Sequence, residues 1–142
     1  MSQNSILLEK SLHFSVRIVK LHRLLHRHED DLSAELLKHA AAIGSAVSCA
    51  DCALSRRVLA ESLNEALRET AQTEYWLRLL TLTDDVDVRT GASLLSDCTE
   101  LRRLLTAAAS AANQAEIRLK NTPKACFSFF LRTACKYFGN AI

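Results

Sequence analysis

Two cysteines, Cys49 and Cys52, are the most reactive side chains that the sequence places at a functional spacing. C-x-x-C is the spacing of thiol redox pairs and of half a zinc site. A redox pair of this kind belongs in a thioredoxin-like βαβ setting, and a structural zinc needs four ligands. The surrounding pattern is helical, and no second pair stands at zinc-finger spacing. We therefore interpret the pair as two small residues on one helix face, and we predict no metal and no cofactor.

Three histidines are a second candidate for metal binding. His22 and His26 are one helical turn apart, and His39 lies on the next predicted helix. Two histidines at i and i+4 can hold one metal, but the H-E-x-x-H pattern of a zinc protease is absent. Exposed or interface histidines are the simpler interpretation.

Three carboxylates, Glu65, Glu69 and Glu74, share a predicted helix with Arg68 and Arg78. Ion pairs on the helix surface explain this spacing without catalysis. The sequence shows no glycine-rich phosphate loop and no nucleophile motif. We predict no catalytic residues and a protein that is not an enzyme.

A basic strip on the first predicted helix is the strongest functional signal in the sequence. Its members are Arg17, Lys20, Arg23 and Arg27, at helical spacing on the face opposite the apolar residues. Such a strip is often an ordinary solvated face. It can also contact a polyanion, because positive side chains release counterions from nucleic acid phosphates.

The composition indicates an all-α protein. Only three Gly and one Pro interrupt 142 residues, whereas strand proteins need turn residues far more often. The ends of the chain are basic and the centre is acidic, which suits a polyanion partner or mutual attraction between subunits. The odd number of cysteines, the early acid at the N-terminus and the absence of a long apolar run predict a cytoplasmic protein without a signal peptide or membrane span.

Four helical patterns must position these residues. We predict helices beginning at Asn4 or Ser5, over 31–53, over 59–82 after an N-cap at Ser55, and over 90–120. Apolar residues recur in each at steps of four and three, which is typical of helices packed lengthwise. The predicted seam comprises Leu7, Ser11, Phe14, Ile18, Leu21 and Leu25; Leu32, Leu36, Ile43, Val47 and Ala50; Leu59, Leu63, Ala66, Thr70, Thr73, Leu77 and Leu80; and Leu94, Cys98, Leu101, Leu105, Ala108, Ala112, Ala115 and Leu119. An up-down-up-down four-helix bundle over residues 1–121 is the economical fold.

Several residues suggest packing between helices or subunits. Gly44, within a run of small residues, predicts a close approach of another backbone. Tyr75 and Trp76 lie beside the seam, where large rings fill grooves. Apolar residues outside the seam predict an oligomer, because a lone bundle needs one stripe per helix. These are Val16, Val19, Leu37, Leu79, Leu82, Leu95 and Leu104.

The C-terminal tail, 122–142, differs in kind from the helices. After Pro123 it is aromatic and basic, and Phe127, Phe130, Ala134 and Phe138 recur at steps of three and four. This predicts a short amphipathic helix that needs a surface to be stable. Its own bundle, a neighbouring subunit and a membrane interface are the available surfaces, and docking on protein is favoured. A mobile tail and contact with a membrane or an external partner are the alternatives.

The sequence also resembles a known family. Four pieces carry the resemblance: Phe14–Leu21, the block from Ile43-Gly44 to Ala53 with Ser55, Ala66-Leu67 with Glu69 and Thr73–Leu80, and Cys98 with Glu100–Leu105. They stand in the order found in S23-type ribosomal proteins, the small bacterial four-helix bundles encoded in intervening sequences of 23S rRNA genes. The resemblance covers about residues 4 to 115.

The resemblance implies a ring-like homopentamer without enzymatic activity. It also implies a relation to accessory proteins of diversity-generating retroelements, which bind a reverse transcriptase and nucleic acid. Ala46 and Cys49 stand where the family has Asn and Glu, and the tail matches nothing in the family pattern. The sequence thus predicts a non-enzymatic oligomeric accessory or scaffold protein that binds structured RNA or DNA. The alternative is a protein–protein interaction module without nucleic acid.

Overall fold

The computed structural model describes residues 3–25 and 32–121, and within them it contains four α-helices and no strand. The helices are α1 (Gln3–Leu25), α2 (Leu32–Asp51), α3 (Arg56–Leu82) and α4 (Val88–Asn121). The all-α four-helix prediction is confirmed, and each predicted helix boundary lies within a few residues of the observed one. The predicted tail helix and Arg27 lie outside the described residues.

The helices are antiparallel to their neighbours along the chain. Side-chain contacts show this directly: Ser15 and His22 on α1 contact Ala40 and Ser33 on α2, in reverse order. Asn64 and Glu74 on α3 likewise contact Asn113 and Arg102 on α4. The first and last helices close the bundle through the sparsest of the four contacts. This is the up-down-up-down arrangement that short connections favour.

The core follows the predicted seam closely. Phe14, Ile18, Leu77, Leu94 and Leu105 are fully buried, and nearly every other seam residue is buried or packed on them. The two seam threonines are also buried, because their hydroxyls donate to carbonyl oxygens one turn earlier. Thr70 Oγ1 donates to Ala66 O at 2.7 Å, and Thr73 Oγ1 donates to Glu69 O at 2.8 Å. No hydroxyl is therefore buried unsatisfied at these two positions.

The end of α4 departs from the prediction. Leu119 was placed in the seam, but 60% of its surface is exposed, and Ala109 is buried where Ala108 was expected to be. A straight helix drifts relative to a strict four-three repeat. The helix is also longer than the others, at 34 residues, so its last turns have less to pack against.

Polar side chains define the helix ends. Ser55 Oγ accepts a hydrogen bond from Val58 N at 3.2 Å, which confirms the predicted N-cap of α3. Asp87 Oδ1 accepts from Thr90 N at 2.9 Å at the start of α4. Hydrogen bonds from the side chain and then the backbone of Thr90 hold the pKa of the Asp87 carboxyl below its usual value. Between the two helices, Asp84 adopts a left-handed φ of 63°, and Val86 turns inward and is buried.

Candidate interaction surfaces

The basic strip of α1 is divided by the fold. Arg17 forms an ion pair with Asp97 of α4, and its Nη2 also donates to Ser93 Oγ at 2.9 Å. Lys20 and Arg23 are exposed and form no ion pair within residues 3–25 and 32–121. Arg17 is therefore paired across two helices, whereas Lys20 and Arg23 have no ion-pair partner in the described part of the chain.

An apolar stripe runs along the outer face of α3. It consists of Tyr75, Leu79 and Leu82, at steps of four and three. Tyr75 is 58% exposed and Leu82 is 82% exposed, while Leu79 is half-buried. We call this the α3 stripe. A continuous apolar stripe on the outside of a folded helix is typical of a surface that another protein covers.

Trp76 lies beside the stripe but packs inward against the core. Its ring meets the Tyr75 ring edge to face, with centroids 5.4 Å apart and planes at 77°. Its indole Nε1 is buried and has no hydrogen-bond acceptor in the described part of the chain. The two predicted aromatic packing residues therefore separate: Trp76 fills the groove of its own bundle and Tyr75 faces outward.

Two glycines lie where helices approach closely. A Cβ on Gly44 would meet Ser15 Oγ at 3.3 Å, at the point where α1 and α2 are joined by the Ser15–Ala40 hydrogen bond. At Gly91 a Cβ would collide with the β-branched side chain of Thr81, whose Cγ2 lies 3.0 Å away. A close approach was predicted at Gly44 and not at Gly91. The signal for Gly91 was its position as an isolated glycine inside a helical pattern.

A groove of about 610 Å³ lies between α1 and α4. Its walls include Phe14 and Leu101 from the core and the exposed side chains of Ile6, Leu12 and Val16. Ionisable residues also line it, namely Glu9, Lys10, His13, Asp97 and Glu100. We call this the α1/α4 groove. It was not predicted from the sequence, because the face of α1 that it occupies also carries the basic strip.

The three cysteines of the described residues are all free. Cys49 and Cys52 are free and exposed at the end of α2, whereas Cys98 is free and buried. Burial raises the pKa of the Cys98 thiol to about 12, and the nearby Glu74 carboxylate adds to this. A thiol with so high a pKa is unreactive at neutral pH. Cys98 is buried in the seam, as its predicted position there implied. Cys49 and Cys52 instead lie on the surface.

The histidines serve contacts between helices. His22 Nδ1 lies 2.9 Å from Ser33 Oγ, which joins α1 to α2. His39 Nδ1 lies 2.7 Å from Glu69 Oε2, which joins α2 to α3. His26 falls outside the described residues. No group of His, Cys, Asp or Glu within 3–25 and 32–121 is arranged to hold a metal ion.

The three carboxylates of α3 divide between surface and interior. Glu65 pairs with Arg68 on the surface, as predicted. Glu74 is buried, and its oxygens lie 2.6 Å from Arg78 Nη2 and 2.9 Å from Arg102 Nη1 of α4. This link between helices was not predicted, although the position of Glu74 directly beside the seam was a signal for it. Because the carboxylate is buried, loss of either arginine would leave its charge less well compensated.

Comparison with known proteins places the chain in a family. It matches no protein-family model and no curated protein. It is similar to a solved structure from Bacteroides thetaiotaomicron VPI-5482, described as a protein of unknown function from the S23 ribosomal protein family. The two chains are 34% identical with a TM-score of 0.74, over 77% of this chain and 99% of the other. The chain belongs to the S23 ribosomal protein family.

Membership in the S23 ribosomal protein family agrees with the observed bundle. The relative is covered almost completely, whereas nearly a quarter of this chain lies beyond the match. This family member therefore carries sequence that its relative lacks. Within the described residues no helix is long and apolar enough to cross a membrane.

Proposed function

We propose that this S23 family member is a non-enzymatic, self-associating bundle that acts as an accessory or scaffold protein on RNA. The observation that carries the proposal is the exposed α3 stripe of Tyr75, Leu79 and Leu82. Side chains of this size gain roughly 1.5–3 kcal/mol each when they are removed from water, so a partner surface would be strongly favoured. A second copy of the chain is the simplest partner, because closed symmetric self-association repeats one interface between all the copies.

Side-chain pairing supports the non-enzymatic part of the proposal. His39 is engaged with Glu69, Glu74 with two arginines, and Cys98 is a buried neutral thiol. Each of these three groups therefore has a structural partner or environment that explains its presence.

Association with RNA rests on two supports. Lys20 and Arg23 are exposed and free of ion pairs in the described part of the chain. The solved relative carries a ribosomal family name. An oligomer would repeat this pair of cations around its axis and strengthen the local field. The pentamer implied by the family resemblance would give five such pairs.

A protein-only interaction module is the second candidate function. The pairing of Arg17 with Asp97 favours it, because it removes one charge from the predicted strip. In that case the α3 stripe and the outer face of α1 contact another protein, such as a reverse transcriptase, and no polyanion.

Binding to a structured RNA distinguishes the two candidates. We expect the Lys20→Glu, Arg23→Glu double variant to lose most RNA affinity at low salt. It should also lose about two units of the slope of log affinity against log salt. The matched control is Arg56→Glu with Arg103→Glu, which changes the net charge equally at two other exposed positions.

Equal losses of RNA affinity in the two double variants would show that RNA responds only to net charge. This result would reject Lys20 and Arg23 of α1 as the RNA-binding surface. A wild-type protein that retains no RNA or DNA at low salt would instead favour the protein-only module.

A further inference from the structure

We propose that the α1/α4 groove is the docking site of the chain's own C-terminal segment, residues 124–142. Two ion pairs close the groove at its rim, Lys10 with Glu100 at 3.1 Å and Arg17 with Asp97. Partly exposed pairs of this kind contribute little to stability, so this seam is the weakest of the bundle.

Apolar side chains are left open to water beneath this rim. Ile6 is 37% exposed, Leu12 63% and Val16 44%, and all three line the groove. The groove volume, about 610 Å³, is in the range of pockets that enclose several large side chains. A surface of this kind is unfavourable in water unless something covers it.

The path of the chain brings the segment to the groove. Because α1 and α4 are antiparallel, the N-terminal half of α1 and the C-terminal end of α4 lie toward the same end of the bundle. The segment follows directly after Asn121, where Pro123 prevents the helix from continuing. The segment therefore starts at the same end of the bundle as the N-terminal half of α1.

The length of the segment is sufficient. Along α4, Leu101 lies about 30 Å before Asn121 at 1.5 Å per residue. Residues 124–142 span about 28 Å if they are helical and about 60 Å if they are extended. A segment that reverses at Pro123 and runs back along α4 reaches the groove in a mostly extended form, which brings Arg132 and the residues after it alongside Leu101.

The chemistry of the segment matches that of the groove. The segment is rich in aromatic and basic side chains, namely Phe127, Phe129, Phe130, Tyr137 and Phe138 with Lys124, Arg132 and Lys136. The segment contains no Asp or Glu. The groove offers apolar walls and three acids, of which Glu9 forms no ion pair with any described residue. The segment therefore complements the groove both in apolar surface and in charge.

Disulfide trapping in the full-length chain tests the proposal. The segment supplies native Cys135, and Cys49→Ser with Cys52→Ser removes the exposed thiols of α2. His13→Cys then places a thiol in the groove without removing an apolar wall residue. The matched control is Gln72→Cys, at an exposed position on α3 outside the groove. Isotope-labelled and unlabelled chains are refolded together and oxidised in glutathione disulfide buffer, and disulfide-linked peptides are identified by mass.

We expect the His13→Cys chain to link to Cys135 within one chain, and the Gln72→Cys chain not to do so. No linkage, or equal linkage in both chains, would overturn the proposal. Linkage mainly between labelled and unlabelled chains would also overturn it, because the segment would then occupy the groove of a neighbouring copy.

A second measurement does not depend on a new cysteine. Val16→Lys places a charge in the groove, and Val88→Lys makes the same change at an exposed position far from it. Val16→Lys should increase the labelling rate of Cys135 by about tenfold, which corresponds to about 1.4 kcal/mol of lost docking free energy. Val88→Lys should leave the rate unchanged. If Cys135 is labelled equally fast in wild type and both variants, the segment does not dock in the groove.

Discussion

Single residues show what helical spacing in a sequence can predict about a side chain and what it cannot. The helical spacing of Arg17, Lys20 and Arg23 correctly placed these side chains away from the core. It could not show that Asp97, on α4, would neutralise one of them. Glu74 repeats the lesson, since its partner Arg102 also belongs to α4. Periodicity identifies which face of a helix points outward, whereas pairing depends on which helix lies beside that face and at what height.

Cys98 gives a prediction that depends on pH. Its thiol has a pKa of about 12 when folded, against 9.0 for an ordinary thiol. Between these values unfolding releases a proton, so rising pH favours the unfolded state. The contribution of the buried thiol is complete below about pH 9 and is lost as the pH rises toward 12. Other groups titrate in the same range, so the comparison must be made with Cys98→Ala.

Urea unfolding at a series of alkaline pH values measures this contribution. The stability of wild type should fall more steeply than that of Cys98→Ala, by up to about 1.4 kcal/mol per pH unit. Parallel curves for the two proteins would show that the thiol is not held neutral by burial.

Whole helices were predictable because their signals are local and repeated. The seam of α1 is buried at every position from Leu7 to Leu21, and the N-cap of α3 is at the expected Ser55. The prediction for the end of α4 was wrong, because the apolar repeat continues in the sequence past the point where neighbouring helices can cover it. The α1/α4 groove was not predictable either, since its width depends on how the first and last helices approach each other.

The two helix glycines give a prediction about packing between helices. We expect Gly91→Ala to destabilise the protein by about 1–3 kcal/mol, because the Thr81 side chain cannot rotate away from the new methyl group without moving the helix. Gly44→Ala should be close to neutral. Its gain of about 1 kcal/mol in helix propensity offsets the small displacement of Ser15.

Chemical unfolding of both variants checks this pair of substitutions. If Gly91→Ala is as stable as wild type, α3 and α4 are not in close contact at Thr81. A large loss of stability in Gly44→Ala would show instead that the tighter contact is between α1 and α2.

At the scale of the whole molecule, the four-helix bundle could be predicted from the sequence, whereas the apolar surface that it leaves exposed could not. Leu37, Leu95 and Leu104 were among the residues expected to be in excess of a lone bundle, and they pack against its own core. Tyr75 and Leu82 are exposed instead. A sequence pattern counts apolar residues, but only the packed structure shows which of them are left without a partner. The α3 stripe remains exposed after that accounting, together with Val16 of α1.

Self-association through the α3 stripe is the central claim, and sedimentation equilibrium at micromolar concentration tests it most directly. We expect wild type to sediment at a multiple of the 15.8 kDa chain mass. Tyr75→Lys with Leu82→Lys should sediment as a folded monomer, because both side chains are exposed in the single chain. Leu54→Lys with Val58→Lys, at exposed positions outside the stripe, should behave as wild type. A monomeric wild type, or a stripe variant that keeps the wild-type mass, would contradict the claim.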